Sequence, residues 1–487
     1  MTAGQKNKTP ATPHGAVTGA KRRRGGRVLA GTAGAVVLAT LATLAIAQEG
    51  PNPSLTLTFG SALDVNDNRR LAATSPGTTT TWDNSLGLSY LSETATSSLR
   101  IDAGTVLRYE KEPGRGSDTG LDDPRFALSY QRQGANSSLS FAASQRRTSV
   151  ASFDPFVLID DPDTPVDEGD LTPGVVGDRS DTAVNLRLET GIEGPLGFSL
   201  GLGRRKRDFT DTIDPDYFDT VTDTVSAAVR LQLSDRTTAR VSYSRSDFTA
   251  EDVEQTARLN ESLSLGLTHA LTPDMVLGVT VGATDIVVDE TIGGLRTRRS
   301  NDGLNAQLSL TRELPNGGLG LTYDRTVSIN GTRDSLNLNR NLELPDGALA
   351  FTLGASKLEG GSSTWIGSVT YRKDLPAGAL TATLDRSAGA NDANDEVTTT
   401  RARLGWSQGL TPVTGINLSL DYLDTDSSVA GSDRSRARLQ VAYNWELAQD
   451  WQLSGGYTRT RSQREASDAT SSNAIFLSLQ RSFTFAP

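Results

Sequence analysis

A strict alternation of apolar and polar residues, broken by a short turn, is the feature that most constrains this chain. Within residues 365–384, one parity carries Trp365, Val369 and Tyr371, and the other carries polar side chains such as Thr370 and Arg372. A turn with Pro and Gly then reverses the chain, and the alternation resumes. Because successive side chains of a strand point to opposite faces, this stretch predicts a β-hairpin with one apolar and one polar face.

The hairpin unit recurs along most of the chain, and its connections fall into two alternating classes. Short connections begin with a leucine followed by turn residues, and these leucines are Leu233, Leu271, Leu314, Leu344, Leu375, Leu410 and Leu447. The other connections are mostly longer and rich in Asp, Asn, Ser and Gly. Short turns at one rim and longer loops at the other are typical of a membrane-spanning barrel. The sequence therefore predicts an all-β fold, a single antiparallel up-and-down transmembrane β-barrel of about 22 strands, within a range of about 20–24.

The two faces of these strands differ strongly in polarity, so we expect one face to contact lipid and the other to contact water. Nine of the ten tyrosines share the parity of the Leu and Val residues, as do Trp365, Trp406, Trp445 and Trp451. The opposite parity carries Arg, Asp and Asn and is too polar for a soluble core. Aromatic residues near strand ends fit the interfacial girdles of a barrel in lipid. This argument favours the barrel over the alternative, a secreted all-β protein of adhesin-like or solenoid type.

The first 47 residues have the features of an export signal. A basic stretch at residues 21–27 precedes an apolar run from 28 to 46, and the small residues Ala45 and Ala47 lie just before Gln48. This pattern predicts a signal peptide at residues 1–47 and a barrel domain at residues 48–487. The alternative is an uncleaved N-terminal anchor, because the apolar run is about long enough to span a membrane.

Charge and composition argue against several kinds of partner and site. The chain has 48 basic and 58 acidic side chains, and residues 1–47 hold seven basic and no acidic ones, so the remainder carries a net charge of −17. We therefore expect no nucleic-acid partner. The absence of Cys excludes disulfides and thiolate metal sites.

The sequence contains no constellation with catalytic spacing. After residue 47 there is one histidine, His269, and its parity places it on the apolar face near a turn. No glycine-rich phosphate loop or His/Cys cluster occurs, so we expect neither an enzyme nor a bound cofactor. Three acidic segments have clustered carboxylates that suit Ca²⁺, although their spacing matches no specific calcium loop and a solvated surface is the simpler interpretation. These segments are Asp160–Asp170, Asp211–Asp219 and Asn391–Glu396.

The last predicted strand resembles the C-terminal strand of a known family of β-barrels. Residues 478–485 alternate apolar and polar side chains up to Phe485, and the chain is similar to Gram-negative outer-membrane β-barrels of the porin-like kind. In that family the last strand is an assembly signal that typically ends in an aromatic residue, and this chain departs by the two residues after Phe485. The resemblance implies an outer-membrane location, with lipid, lipopolysaccharide, the barrel-assembly machinery and small hydrophilic solutes as partners. Because the first predicted strand begins at residue 54, we do not expect the N-terminal plug of an energised receptor.

Two functions fit such a barrel. The first is a channel for passive diffusion of small hydrophilic solutes. The second is a non-catalytic role in the export of a surface polysaccharide. The sequence does not choose between them.

The candidate pore-lining residues lie on the polar parity of the strands. They are Arg100, Arg187, Arg230, Arg372, Arg401, Arg403, Arg436, Arg438, Asp385 and Asp421. On this parity eleven Arg stand against six carboxylates, which favours a mildly anion-preferring lumen. In this interpretation Arg401, Arg403, Arg436 and Arg438 form a basic ladder on neighbouring strands. In the alternative, these Arg residues pair with wall carboxylates and stiffen the barrel.

Overall fold

The chain forms a closed antiparallel sheet of 22 strands in a computed structural model. The structure describes residues 53–160, 166, 171–172, 175–212, 217–391, 394–465 and 467–485. The first eleven strands are β1 (Ser54–Asn66), β2 (Thr79–Glu93), β3 (Ser97–Glu112), β4 (Gly116–Gln133), β5 (Ser137–Ser149), β6 (Asp178–Thr190), β7 (Leu196–Thr210), β8 (Thr220–Ser234), β9 (Thr237–Ala250), β10 (Ala257–Thr272) and β11 (Met275–Ile292). The others are β12 (Leu295–Leu314), β13 (Gly317–Ser328), β14 (Gly331–Leu344), β15 (Gly347–Leu358), β16 (Ser363–Leu375), β17 (Gly378–Ala390), β18 (Glu396–Thr411), β19 (Thr414–Ser427), β20 (Arg434–Ala448), β21 (Trp451–Arg464) and β22 (Thr470–Phe485).

The first and last strands close the barrel. β1 pairs with β2 along one edge and with β22 along the other, where Leu55 lies opposite Phe485. The rings of Phe59 and Phe483 meet edge to face across this seam, with centroids 6.0 Å apart. Every other strand pairs with its two neighbours in the chain, so none of the described strands is left with a free edge. The prediction of a single 22-stranded up-and-down barrel is confirmed, and the described strands do not form the solenoid of the alternative interpretation.

The two rims of the barrel differ in the length of their connections. At the rim that holds Ser54 and Phe485, the turn rim, the ten connections have two to five residues. At the opposite rim, the loop rim, connections range from two residues to the 28 residues between β5 and β6. In outer-membrane barrels the short turns face the periplasm, so the loop rim corresponds to the cell exterior.

Two short 3-10 helices, η1 (Val150–Ser152) and η2 (Pro155–Ile159), lie in the described part of the β5–β6 connection. Across the described residues, no helix has the length and apolar character needed to cross a membrane.

Specific side chains shape the tight turns. Asp274, between β10 and β11, accepts hydrogen bonds from Thr272 Oγ1 at 2.6 Å and from Arg312 Nε at 3.0 Å. These two donors, Thr272 first, lower the pKa of the Asp274 carboxyl. Gly347 begins β15 with φ of +155°, and a Cβ there would lie 2.0 Å from the carbonyl oxygen of Arg372. Glycine is therefore required at that position.

The outer face of the barrel is apolar and exposed. Leu308 of β12 and Leu404 of β18 are 48% and 39% exposed on this face. Trp365, near the start of β16, and Tyr443 of β20 lie on the same face. His269 shares this face, as its parity predicts, and its Nδ1 lies 2.9 Å from the hydroxyl of Thr237. An apolar surface of this extent requires lipid as its solvent, so the opposite parity faces the lumen.

Candidate functional site in the barrel lumen

The connection between β5 and β6 turns into the lumen instead of extending outward. We call the described residues of this connection, which are 150–160, 166, 171–172 and 175–177, the luminal segment. Asp154 caps η2, because its side chain accepts from the backbone N–H of Phe156 at 3.1 Å and Pro155 follows it. The helix thereby presents Phe156 and Leu158 to the wall of the barrel, where both are buried.

An apolar cluster anchors the luminal segment to the wall. Phe156, Leu158, Val166 and Leu171 pack together with Leu423, an inward-facing residue of β19 that is fully buried. This cluster is unusual in a lumen whose inward positions are otherwise mostly polar. In the docked position, the apolar side chains of the segment and Leu423 of the wall are removed from water. The hydrophobic effect therefore favours docking of the segment.

Ion pairs fasten the same segment on either side of the cluster. Arg403 donates from Nη1 to Asp160 at 2.5 and 2.7 Å, and from Nη2 to the carbonyl oxygen of Phe156 at 3.0 Å. Arg438 donates from Nη1 to Asp154 at 2.6 Å, and its guanidinium lies 4.5 Å from the centroid of the Phe156 ring. The segment that leaves β5 is thus held by β18 and β20, on a distant part of the wall.

Both arginines also contact the same buried carboxylate of the wall, that of Asp421. Asp421 of β19 is 1% exposed and accepts from Arg403 Nε at 2.6 Å and from Arg438 Nε and Nη2 at 3.0 and 2.9 Å. On the next strand pair, Arg401 Nη1 lies 3.1 Å from Asp385. Charge-assisted bonds of this kind fix the orientation of each guanidinium.

The four arginines of the predicted ladder therefore do not form a continuous basic column. Arg401 and Arg403 lie on β18, whereas Arg436 and Arg438 lie on β20, and β19 places Asp421 and Leu423 between them. The structure brings three of the four, namely Arg401, Arg403 and Arg438, into ion pairs with wall or segment carboxylates. Their arrangement is the one expected if wall ion pairs stiffen the barrel.

The remaining candidate residues also lie on the inner face. Arg100 and Arg187 each pair with a carboxylate two positions along the same strand, Asp102 at 2.8 Å and Glu189 at 2.6 Å. Arg372 pairs in the same way with Asp374 at 2.9 Å. Arg230 instead caps the β6–β7 turn, where its Nη2 donates to the carbonyl oxygens of Gly191, Ile192 and Gly194 at 2.6, 2.7 and 3.2 Å.

A second connection reaches across the loop rim. Asn394, between β17 and β18, accepts from Arg258 Nη1 of β10 through Oδ1 and donates to Glu290 of β11 at 3.4 Å. Its backbone carbonyl accepts from Asn330 Nδ2 at 2.8 Å. We call this group of contacts the rim bridge. Asn394 has φ of +65°, a conformation that asparagine tolerates better than most residues. Sequence periodicity carries no signal for this bridge, since its partners lie on β10, on β11 and in the β13–β14 connection, far apart in the sequence.

The acidic segments considered for Ca²⁺ have other partners where they are described. Asp160 binds Arg403, and Asp219 Oδ1 accepts from the backbone N–H of Phe209 at 2.6 Å. Among the described residues there is no group of three or more metal-binding side chains. Residues 161–165, 167–170, 213–216 and 392–393 of these segments lie outside the described residues.

Comparison with known proteins identifies the architecture. No protein-family model matches the chain, and no curated protein sequence matches it. Among solved structures it is similar to the ferric-catecholate import receptor Fiu from E. coli K12, with a TM-score of 0.56 and 10% identity over 90% of this chain and 82% of that one. The fold is that of an outer-membrane β-barrel.

Two further structures give the same result. The FrpB iron transporter from Neisseria meningitidis has a TM-score of 0.54 and 10% identity, over 89% of this chain and 82% of that chain. The ferric yersiniabactin uptake receptor FyuA from Yersinia pestis has a TM-score of 0.52 and 12% identity, over 90% and 81%. The predicted outer-membrane architecture is confirmed, and the apolar outer face is suited to that location.

Proposed function

We propose that this barrel is an outer-membrane channel for passive diffusion of small hydrophilic solutes. The observation that supports the proposal best is a polar lumen crossed by a docked luminal segment. A closed sheet of 22 strands encloses a wide interior, and a segment fastened across it reduces the free cross-section. A lumen with this smaller free cross-section suits small solutes better than polymers.

The inner wall supports the same function through its chemistry. Inward positions carry hydroxyl, amide and charged side chains, for example Thr381, Thr383 and Asp385 on β17. Such a wall keeps the lumen hydrated, and a hydrated solute crosses it without losing its water. The proposed function involves no chemical step on the solute.

Conductance of the refolded barrel in planar bilayers tests the proposal. We expect steady single-channel currents from the unmodified protein and swelling of proteoliposomes in small neutral sugars. A variant in which a Gly/Ser linker replaces residues 153–175 should conduct more and should admit larger sugars. A protein that carries no current, whether or not the segment is present, would contradict the channel function.

A second function, uptake of a specifically bound ligand, is favoured by the comparisons. The similar structures are described as an import receptor, an iron transporter and an uptake receptor. Under this alternative the luminal segment and the rim bridge would keep the lumen closed at rest. A current that appears only in the linker variant, together with saturable quenching of tryptophan fluorescence by a ferric catecholate, would support uptake over diffusion.

A further inference from the structure

Two exposed arginines lie on the outer face of β21, on the side of the loop rim. In the register, Arg459 and Arg461 share this face with Tyr457 of the same strand and with Leu439 of β20. Arg461 is ten residues after Trp451, which begins β21 near the turn rim. Ten residues span about 33 Å of strand, or about 25 Å along the membrane normal at a tilt near 40°, which is the height of the apolar band of such barrels. The two guanidinium groups are therefore placed at the level of the lipid headgroups.

The strand positions directly opposite these arginines are all uncharged. They are Leu439 and Ala437 on β20, and Asn473 and Ser471 on β22. Acidic residues beyond them have other partners, since Asp67 accepts from Asn473 Nδ2 at 2.7 Å and Glu465 Oε2 accepts from the backbone N–H of Gly431 at 2.6 Å. No cross-strand carboxylate of the described neighbours therefore offsets the positive charge of the two arginines.

Three other outward arginines near the loop rim differ in this respect, because each contacts a carboxylate on its own strand or on the adjacent one. The pairs are Arg204 with Asp223 at 3.6 Å, Arg245 with Asp247 at 2.8 Å and Arg325 with Asp334 at 2.8 Å. The two arginines of β21 thus carry a local positive charge that these three sites do not.

An apolar strip extends from the two arginines towards the middle of the membrane. Ile475 and Leu477 of β22 are exposed on the same outer face. The hydroxyl of Tyr457 donates to Asn473 Oδ1 at 2.6 Å, which holds the tyrosine ring beside the arginines. Guanidinium groups above an exposed apolar strip match a lipid that carries phosphate on its headgroup.

We propose that Arg459 and Arg461 bind the phosphate groups of a membrane lipid whose acyl chains lie along Ile475 and Leu477. Each guanidinium can offer two parallel N–H donors to a phosphate, so two of them on one face suit a headgroup with two phosphates. Because the loop rim corresponds to the cell exterior, this lipid belongs to the outer leaflet. The site lies outside the lumen and does not depend on the proposed channel function.

Native mass spectrometry of the refolded, full barrel in detergent tests the site. The probes are lipid A with two phosphates, the same lipid after dephosphorylation, and inorganic pyrophosphate. We expect the unmodified barrel to bind the phosphorylated lipid, and the double variant Arg459→Gln with Arg461→Gln to bind it roughly tenfold more weakly, because two exposed ion pairs are lost. The matched control is Arg325→Gln, an outward arginine that already pairs with Asp334, and it should change the affinity by less than about twofold.

Equal binding of the phosphorylated and dephosphorylated lipids, or equal effects of the double variant and the control, would overturn the site. Pyrophosphate binding as tight as that of the lipid would identify a free phosphate site and overturn the lipid as its occupant. The double variant Arg459→Lys with Arg461→Lys should retain most of the binding, which separates loss of charge from misfolding.

Single-channel conductance provides a second readout, because both arginines lie outside the lumen. The double variant Arg459→Gln with Arg461→Gln should conduct as the unmodified barrel does while its lipid binding falls. A changed conductance with unchanged lipid binding would place these arginines in the passage and overturn the lipid site.

Discussion

Arg403 donates from Nη1 to both carboxylate oxygens of Asp160, although the two residues are 243 positions apart in the chain. On the other side of η2, Arg438 donates from Nη1 to one carboxylate oxygen of Asp154 at 2.6 Å. Both contacts join the luminal segment to the wall. Because Asp160 is 68% exposed, its ion pair is partly screened by water.

The double variant Asp154→Asn with Asp160→Asn should loosen the luminal segment. Each exposed pair contributes about 0.5–1 kcal/mol, so loss of both should raise the undocked population by about five- to thirtyfold. Single-channel recordings should then show longer periods in a larger conductance state. Asp374→Asn is the control, because Asp374 pairs with Arg372 near the turn rim and does not contact the segment. Identical traces for the double variant and the unmodified barrel would contradict this account.

The barrel itself could be predicted from the sequence because the alternation of apolar and polar residues within each strand is a local pattern. A strand with period two that faces lipid on one side and water on the other must place Leu308 outward and Gln307 inward. Each short turn then adds one hairpin, so the strand count follows. Closure follows as well, since a membrane tolerates no free strand edge.

The interior arrangement could not be predicted in the same way. Asp160 lies in an acidic stretch with prolines, which is also the composition of a solvated loop. Asp160 meets Arg403 only because of the three-dimensional path of the segment, and the periodicity of the sequence does not encode that path. One local signal was present: Phe153, Phe156, Leu158 and Ile159 make an apolar run that an exposed loop would not favour.

Asp421→Asn should destabilise the barrel more than the loss of an exposed pair. Asp421 is 1% exposed and accepts from both Arg403 and Arg438, so its neutralisation removes the carboxylate that the two arginines share and leaves each of them with one ion-pair partner in the luminal segment. We expect a loss of about 1.5–3 kcal/mol in the free energy of unfolding, measured by denaturant titration in lipid vesicles, because hydrogen bonds to a charged group contribute about that much. Asp102→Asn, which breaks the exposed pair with Arg100, should cost clearly less, because water screens that pair. Equal losses for the two variants would mean that Asp421 is not the centre of this network.

Leu308→Arg tests which face meets lipid. Leu308 is exposed on the outer face of β12, and a charge near the membrane midplane costs about 2–4 kcal/mol. The control is Gln307→Arg, one residue away on the luminal face, where Asp324 already accepts a hydrogen bond from Gln307 at 2.7 Å. Denaturant titration in vesicles should give a clearly lower free energy of unfolding for Leu308→Arg than for Gln307→Arg. If Gln307→Arg is the less stable one, the two faces have been assigned in reverse.

The export signal remains a prediction, since residues 1–47 lie outside the described residues. Mass spectrometry of the protein from outer-membrane fractions should find Gln48 at the N-terminus, in its free or cyclised form. Replacement of Ala45 and Ala47 by bulky residues should block this cleavage, because signal peptidase requires small side chains there. A mature protein that retains residues 1–47 would support the uncleaved anchor.

Phe156→Ala tests whether the apolar cluster, and not only the ion pairs, holds the luminal segment. Phe156 is 2% exposed and contacts both Leu423 and the guanidinium of Arg438, whereas its neighbour Val157 is 41% exposed. Truncation of a buried Phe costs about 3–5 kcal/mol, which exceeds the contribution of either exposed ion pair. The strand ladder itself is untouched, so the unfolding of the barrel should change little while single-channel conductance increases. Val157→Ala, the matched control in the same helix, should leave both quantities unchanged. If Phe156→Ala lowers barrel stability without changing conductance, the segment supports the wall instead of narrowing the passage.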